Sequence, residues 1–187
     1  MGIFSLATAA AWMGLLKGNS LTKNAGRRVI SRGTDPNSLV NADPENLDTS
    51  NLEPMPVQEF GTMGDTDIHI DPGDWRLEVT GNVGRNLMFT YKQILTLPSI
   101  EREVLLICPG FFANHGLWKG VAIQEFIKRS RPSVDVSGLI VYSSGDSRTS
   151  KRTERFDIEK AANTVFLAYQ VNGKQLPRKH GFPLRLV

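Results

Sequence analysis

The run Val104-Leu105-Leu106-Ile107, followed at once by Cys108-Pro109-Gly110, constrains this chain more than any other feature. A continuous apolar run of that length is expected of a strand buried on both faces, and Pro-Gly ends it abruptly. The run therefore places Cys108 at the tip of a rigid central element. Cys108 is the only cysteine in the 187 residues, so the chain forms no internal disulfide. A lone cysteine is either a small buried hydrophobe or a working thiol. His69, His115 and His180 lie too far apart in sequence to form a local zinc motif. The sequence contains no phosphate-binding loop of the Walker type, no GxGxxG, no GxSxG elbow and no HExxH helix. With 40% hydrophobic and 22% charged residues it can bury one good core. The formal charge of +3 is spread over small groups, and nothing interleaves aromatic and basic residues. That pattern argues against a nucleic-acid partner.

Three stretches follow from composition. Residues 1–18 hold an apolar segment, Ile3 to Leu16, shorter than a bilayer span and closer to a signal-peptide core. Its cations, Lys17, Lys23, Arg27, Arg28 and Arg32, follow it rather than precede it, which conflicts with export. The segment reads as a signal or anchor remnant, or as a helix packed on the domain. Residues 19–64 are rich in Asn, Asp, Pro, Ser, Thr and Gly and read as an extended arm. Residues 65–187 form the folded domain. Within it Trp75 to Thr80 alternates as a half-buried strand, and Thr90 with Gln93 predicts a capped helix closed by Pro98. Val121, Ile123, Phe126 and Ile127 fit an amphipathic helix ending in Lys128, Arg129 and Arg131. Gly138 to Ser143, Thr164 to Val171 and Phe182 to Val187 read as strands, and Asn172-Gly173 as a hairpin turn. Ending on a strand without a polar tail suggests a truncated chain.

Five segments occur in a telling order: Trp75-Arg-Leu-Glu-Val-Thr-Gly81, Glu101 to Gly110, Trp118-Lys-Gly-Val121, Leu167 to Pro177, and His180-Gly-Phe-Pro-Leu-Arg185. In that order and spacing they resemble the molybdopterin-binding domain of the sulfite-oxidase family, from about residue 46 to 187. The resemblance implies an α+β fold, mixed and β-rich, incomplete at its C-terminal end. It implies molybdopterin with molybdenum as cofactor and Cys108 as the metal's protein ligand. A soft thiolate suits a thiophilic metal, and coordination removes its proton without a neighbouring base. By position, His180 and Arg185 would contact the pterin and its phosphate, for which arginine offers a permanently charged fork. Ser143 or Ser144 falls near another polar contact. Gln58, Glu59 and Phe60 occupy the early cofactor-binding segment, where the family usually has Asn, His or Tyr. His115, seven residues past the cysteine, is a catalytic candidate beside Cys108: it faces the metal, hydrogen-bonds the pterin or braces its loop. Trp118 and Gly120 read as structural, a buried aromatic and a turn.

The resemblance also limits the reaction. Sulfite oxidases carry an arginine shortly after the cysteine, for the sulfite dianion, whereas Pro109 to Ala113 has no cation. The implied substrate is therefore small and neutral, such as a sulfoxide, as for bacterial sulfoxide reductases of this family. The implied reaction is two-electron redox or oxygen-atom transfer. The chain has no CxxCH, so a haem partner for electron transfer would be a separate protein. A periplasmic or membrane-associated location is the corresponding expectation. A domain that keeps the fold without the activity, serving as an interaction module, is the other reading.

Overall fold

In the computed structural model, residues 26–62, 67, 69–143 and 153–187 are described; the apolar segment at 1–18 and Ser144 lie outside them. The arm supplies two short parallel strands, β1 (Arg28–Val29) and β2 (Leu47–Asp48). An antiparallel pair, β3 (Arg76–Val79) and β4 (Leu87–Thr90), leads into helix α1 (Tyr91–Ile94). Thr90 accepts from the Gln93 backbone while the Gln93 side chain reaches back to Thr90, the reciprocal cap that the sequence predicts. Strands β5 (Ile100–Cys108) and β6 (Phe112–Ala122) precede helix α2 (Ile123–Ser130), which stops where Arg131 turns left-handed at φ 53°. A second antiparallel pair, β7 (Gly138–Tyr142) and β8 (Thr153–Asp157), leads into helix α3 (Ile158–Thr164). The last strands are β9 (Phe166–Val171), β10 (Lys174–Gln175) and β11 (Arg185–Leu186). Asn172 and Gly173, both at positive φ, make the hairpin between β9 and β10. The mixed, β-rich α+β architecture is the one expected.

The main sheet runs β10-β9-β6-β5, with β11 also paired to β9, and all its pairings are antiparallel. The apolar run therefore lies on the outer strand β5 rather than in a central one. It is still covered on both sides. Val104 and Leu106 pack with Trp118, Phe166 and Val171, whereas Leu105 and Ile107 pack with Ile30, Leu39 and Leu52. The middle of the sheet is β6 and β9. Residues 112–116, where a loop around His115 is expected, belong to β6, although Asn114, His115 and Gly116 are poor strand formers. They form a strand because the Asn114 amide and the His115 Nδ1 find partners in the arm and Gly116 admits a neighbour, although His115 Nε2 stays unpaired.

Alternation along β6 separates two faces. We call the face bearing Cys108, Phe112, Asn114, Trp118 and Ala168 the front. The back carries Leu105, Ala113 and His115 at one end, and at the other Val121, Leu167 and Tyr169 beneath α1, α2 and α3. The arm covers both. Its Ile30, Leu39, Leu47 and Leu52 are buried on the back, and its Met55 and Phe60 are buried on the front. Between them the chain passes along the edge of β6, where the Met55 N–H donates to the His115 carbonyl at 3.0 Å. The described residues of the arm form only two-residue strands and 3-10 turns, yet Ile30, Leu39, Leu47, Leu52, Met55 and Phe60 are all buried.

Gly120 is not in a turn, as expected, but in β6 at a bulge, where the register with β9 shifts between Lys119 and Gly120. A Cβ there would meet the Leu167 carbonyl oxygen and come within 2.6 Å of the Ala168 Cα. Backbone cannot swing aside as a side-chain tip can. Gly120→Ala should therefore destabilise the chain by about 1–3 kcal/mol, read as a lower urea midpoint at unchanged slope.

Candidate active site

Cys108 ends β5 and stands opposite Phe112, half-buried. The Phe111 N–H returns to the Cys108 carbonyl at 3.0 Å, and Gly110 takes φ 78° to close this turn. Phe111 projects from the turn with 69% of its surface exposed, so the rim beside the thiol is aromatic. No cation lies in the turn.

Further along the front face, Trp118 is fully buried, with its indole N–H donating to the Val104 carbonyl at 3.3 Å. The Arg185 guanidinium lies 5.5 Å from the centroid of the Trp118 ring, a cation–π contact of about 0.5–2 kcal/mol. Arg185 pairs with Ala168 across β11 and β9, which puts it on the same face as Cys108. Trp118 lies six positions beyond Phe112 on β6, roughly 20 Å of extended chain. Arg185 also donates to the His180 carbonyl at 3.3 Å, so the two residues of the last motif are held together.

His180 is only 1% exposed, in the 3-10 turn Arg178–His180, with the Phe60 ring edge-on to it at 5.6 Å. No hydrogen bond of good geometry reaches either ring nitrogen, the Val57 backbone making only a weak contact with the ring. Burial, and then the positive charges of Lys179 and Arg185, push its pKa down to about 4, against a small opposing effect of the Val57 backbone. At neutral pH the ring is uncharged, with one donor and one acceptor unused. A buried polar atom left unpaired costs about 1–3 kcal/mol, so this ring is suited to a polar ligand that completes its bonds.

The other predicted residues fall elsewhere. His115 is fully buried on the back face, opposite Leu105, and therefore points away from Cys108. Its Nδ1 lies 3.1 Å from the Glu53 carbonyl, an acceptor, which makes it the donor in a bond to the arm. Of the readings open to His115, the geometry favours bracing, because strand alternation sets it on the side opposite the thiol. Ser143 lies exposed at the end of β7, on the ladder whose Leu139 and Phe156 pack against the helical back core. Gln58 and Glu59 are exposed in a 3-10 turn, whereas Phe60 is buried against Trp118 and His180. Two asparagines hold the arm against β6: Asn114, which no motif marks, and Asn172, read from sequence only as a turn residue. Asn114 bonds twice to Gly61, and Asn172 bonds to Leu117 and Met55. Both look like turn residues in sequence, so no pattern signals their roles.

Residues 63–187 match the model of the oxidoreductase molybdopterin binding domain. The chain belongs to that family. Molybdopterin is accordingly the cofactor of this domain, as the motifs imply. Over 154 residues the domain's chain is 27% identical to a putative protein-methionine-sulfoxide reductase subunit YedZ1 of Azospira oryzae, covering 81% of this chain and 55% of that protein. It is 27% identical over 143 residues to the NADH nitrate reductase of Petunia hybrida, covering 61% of this chain and 16% of that enzyme. Among solved structures it is similar in fold to the sulfane dehydrogenase SoxCD from Paracoccus pantotrophus. There the TM-score is 0.58 at 22% identity, over 65% of this chain and 35% of that one. The chain thus spans about half of the Azospira relative and a small part of the nitrate reductase.

The residues present fit such a cofactor in their chemistry. The front face offers a soft thiol at a strand end, a buried imidazole with unspent hydrogen bonds and a permanent cation beside it. Among the described residues, no three His, Cys, Asp or Glu side chains come together to hold a metal ion unaided. A metal at Cys108 would therefore draw most of its ligands from the cofactor.

The His180 environment carries a pH signature. Unfolded, the ring gains a proton near pH 6.5, and folded only near 4. Between those values the unfolded chain binds more protons, so stability should fall as pH drops from about 6.5 to about 4. Urea midpoints across that range should show the decline, and His180→Leu should flatten it. An undiminished slope in the variant would assign the titration to another group.

Proposed function

We infer that the chain is the molybdenum-binding part of an oxidoreductase that acts on a small neutral substrate, and that Cys108 is the metal's protein ligand. The observation that carries this reading is the position of Cys108: it ends an edge strand, half-buried, on the same sheet face as Arg185, which bonds the His180 carbonyl. When bound, the molybdenum cofactor supplies a two-electron redox centre. Cys108 would hold the metal as a thiolate, its proton displaced by coordination. His180 would use its unspent donor and acceptor on the pterin, and Arg185 its guanidinium on the pterin's phosphate. Trp118, beneath Arg185, would keep that guanidinium from folding back on the sheet. Glu59, Ser143 and Ser144 have less to support a contact, and His115 is better suited to fixing the arm.

Substrate choice follows from the turn after Cys108. Pro109, Gly110, Phe111 and Phe112 present apolar and aromatic surface without a cation, which disfavours a dianion and favours a neutral substrate such as a sulfoxide. The relative described as a sulfoxide reductase subunit supports that class. Its description as a subunit also supports electron supply from a separate protein, for which a haem protein is the chemically suited class. A periplasmic or membrane-associated setting accords with that relative; no helix among the described residues is long and apolar enough to cross a membrane.

Two measurements test this reading. Protein from a host that makes the cofactor should contain stoichiometric molybdenum by metal analysis, and Cys108→Ala should lose it. Full retention by the variant would overturn the ligand assignment, and a metal-free wild type would favour a non-catalytic interaction domain. In a dye-coupled assay, sulfoxide reduction should exceed sulfite oxidation; the reverse order would overturn the substrate argument.

A further inference from the structure

Asn114 lies two residues from Phe112 on the front face of β6 and is fully buried. Its Oδ1 accepts from the Gly61 N–H at 2.8 Å, and its Nδ2 donates to the Gly61 carbonyl at 2.9 Å. One side chain thus satisfies both backbone groups of one arm residue, as a neighbouring strand would. Gly61 in turn lies flat on Phe112, the residue directly opposite Cys108. A Cβ at position 61 would strike the Phe112 Cβ and come within 2.8 Å of its Cγ. The contact has no slack. Phe112 is therefore confined between the arm and the thiol's strand, and the arm is confined by Asn114.

We propose that Asn114 is a positioning residue for the Cys108 site: by clamping Gly61 it makes the arm one wall of that site and fixes Phe112 beside the thiol. The proposal concerns residues that no motif marks, and its functional weight rests on the reading of Cys108 as the working thiolate. A bulk structural role would look different. Asn172 also ties down the arm, since its Nδ2 donates to the Met55 carbonyl at 2.9 Å and its Oδ1 accepts from the Leu117 N–H at 2.9 Å. Of those partners, Leu117 stands at the middle of β6, three residues further from the thiol than Asn114, and Met55 bonds the His115 carbonyl. The two asparagines therefore do similar structural work at different distances from the thiol.

Cys108 is the only cysteine, so iodoacetamide reports on it alone. The full chain is purified from a host that makes no molybdopterin, and the alkylation rate is followed by intact mass together with the thermal midpoint. Asn114→Ala removes two buried hydrogen bonds and should raise the alkylation rate by about tenfold through local opening of the arm. Asn114→Asp keeps the acceptor but not the donor, and should fall between wild type and alanine. Asn172→Ala should lower the thermal midpoint comparably and raise the alkylation rate clearly less than Asn114→Ala does, because Gly61, which lies on Phe112, keeps its own two bonds. Equal acceleration by the two alanine variants, or none by Asn114→Ala or Asn114→Asp, would overturn the proposal. Loss of molybdenum in Cys108→Ala decides the ligand assignment separately, so neither result stands in for the other.

Discussion

Unbroken antiparallel pairing of β5 with β6, from Ile100 opposite Gly120 to Cys108 opposite Phe112, is the constraint on which the rest depends. A strand has a two-residue repeat, so fixing one pair fixes the face of every side chain in both strands. Cys108, Asn114 and Trp118 go to one side and Leu105, Ala113 and His115 to the other. Slipping β5 by one residue against β6 would carry the thiol from the front face to the back. The turn at Pro109 to Phe111 holds the register at one end, and the close approach of Gly120 to β9 holds it at the other.

The arm depends on that register in turn. A segment with so few apolar residues cannot form a core of its own, and ordering it costs about 1–2 kcal/mol per residue in backbone entropy. It is ordered here because β6 beyond the end of β9 still has hydrogen-bonding capacity. The arm takes up that capacity through Met55, while Asn114, His115 and Asn172 supply bonds from their side chains. Directional bonds of this kind fix one arrangement of the arm, whereas apolar contacts alone would let it slide.

Much of the site could be read from the sequence, for unequal reasons. Cys108 at the end of an apolar run, the Thr90 cap and the Asn172-Gly173 turn are local signals, and the structure keeps them. The strand β6 was hidden because its middle is Asn, His and Gly. Those residues are stabilised there by partners more than fifty positions away in sequence, which no local propensity records. His115 illustrates the same limit: proximity to Cys108 in sequence says nothing about which face it takes, and one residue of parity separates contact with the site from contact with the arm. His180 and Arg185 are singled out as candidates by an ordered motif, but that Arg185 bonds His180, and that Trp118 lies under the guanidinium, is visible only in the fold.

The bulge opposite Gly120 sets how the chain tolerates change in length. It inserts Tyr169 between Ala168 and Gln170, so that Phe166, Ala168 and Val171 line the front core while Leu167 and Tyr169 line the back. Strict alternation could not send both 168 and 171 forward. The single extra residue therefore acts as a phase shifter between the helical half of the molecule and the half that carries the cysteine. Substitutions on either side are decoupled by it, whereas an insertion or deletion within β9 would exchange the inward and outward residues of one half relative to the other. Variation in this domain is therefore expected to accumulate in residue identity along β9, and its length to stay fixed.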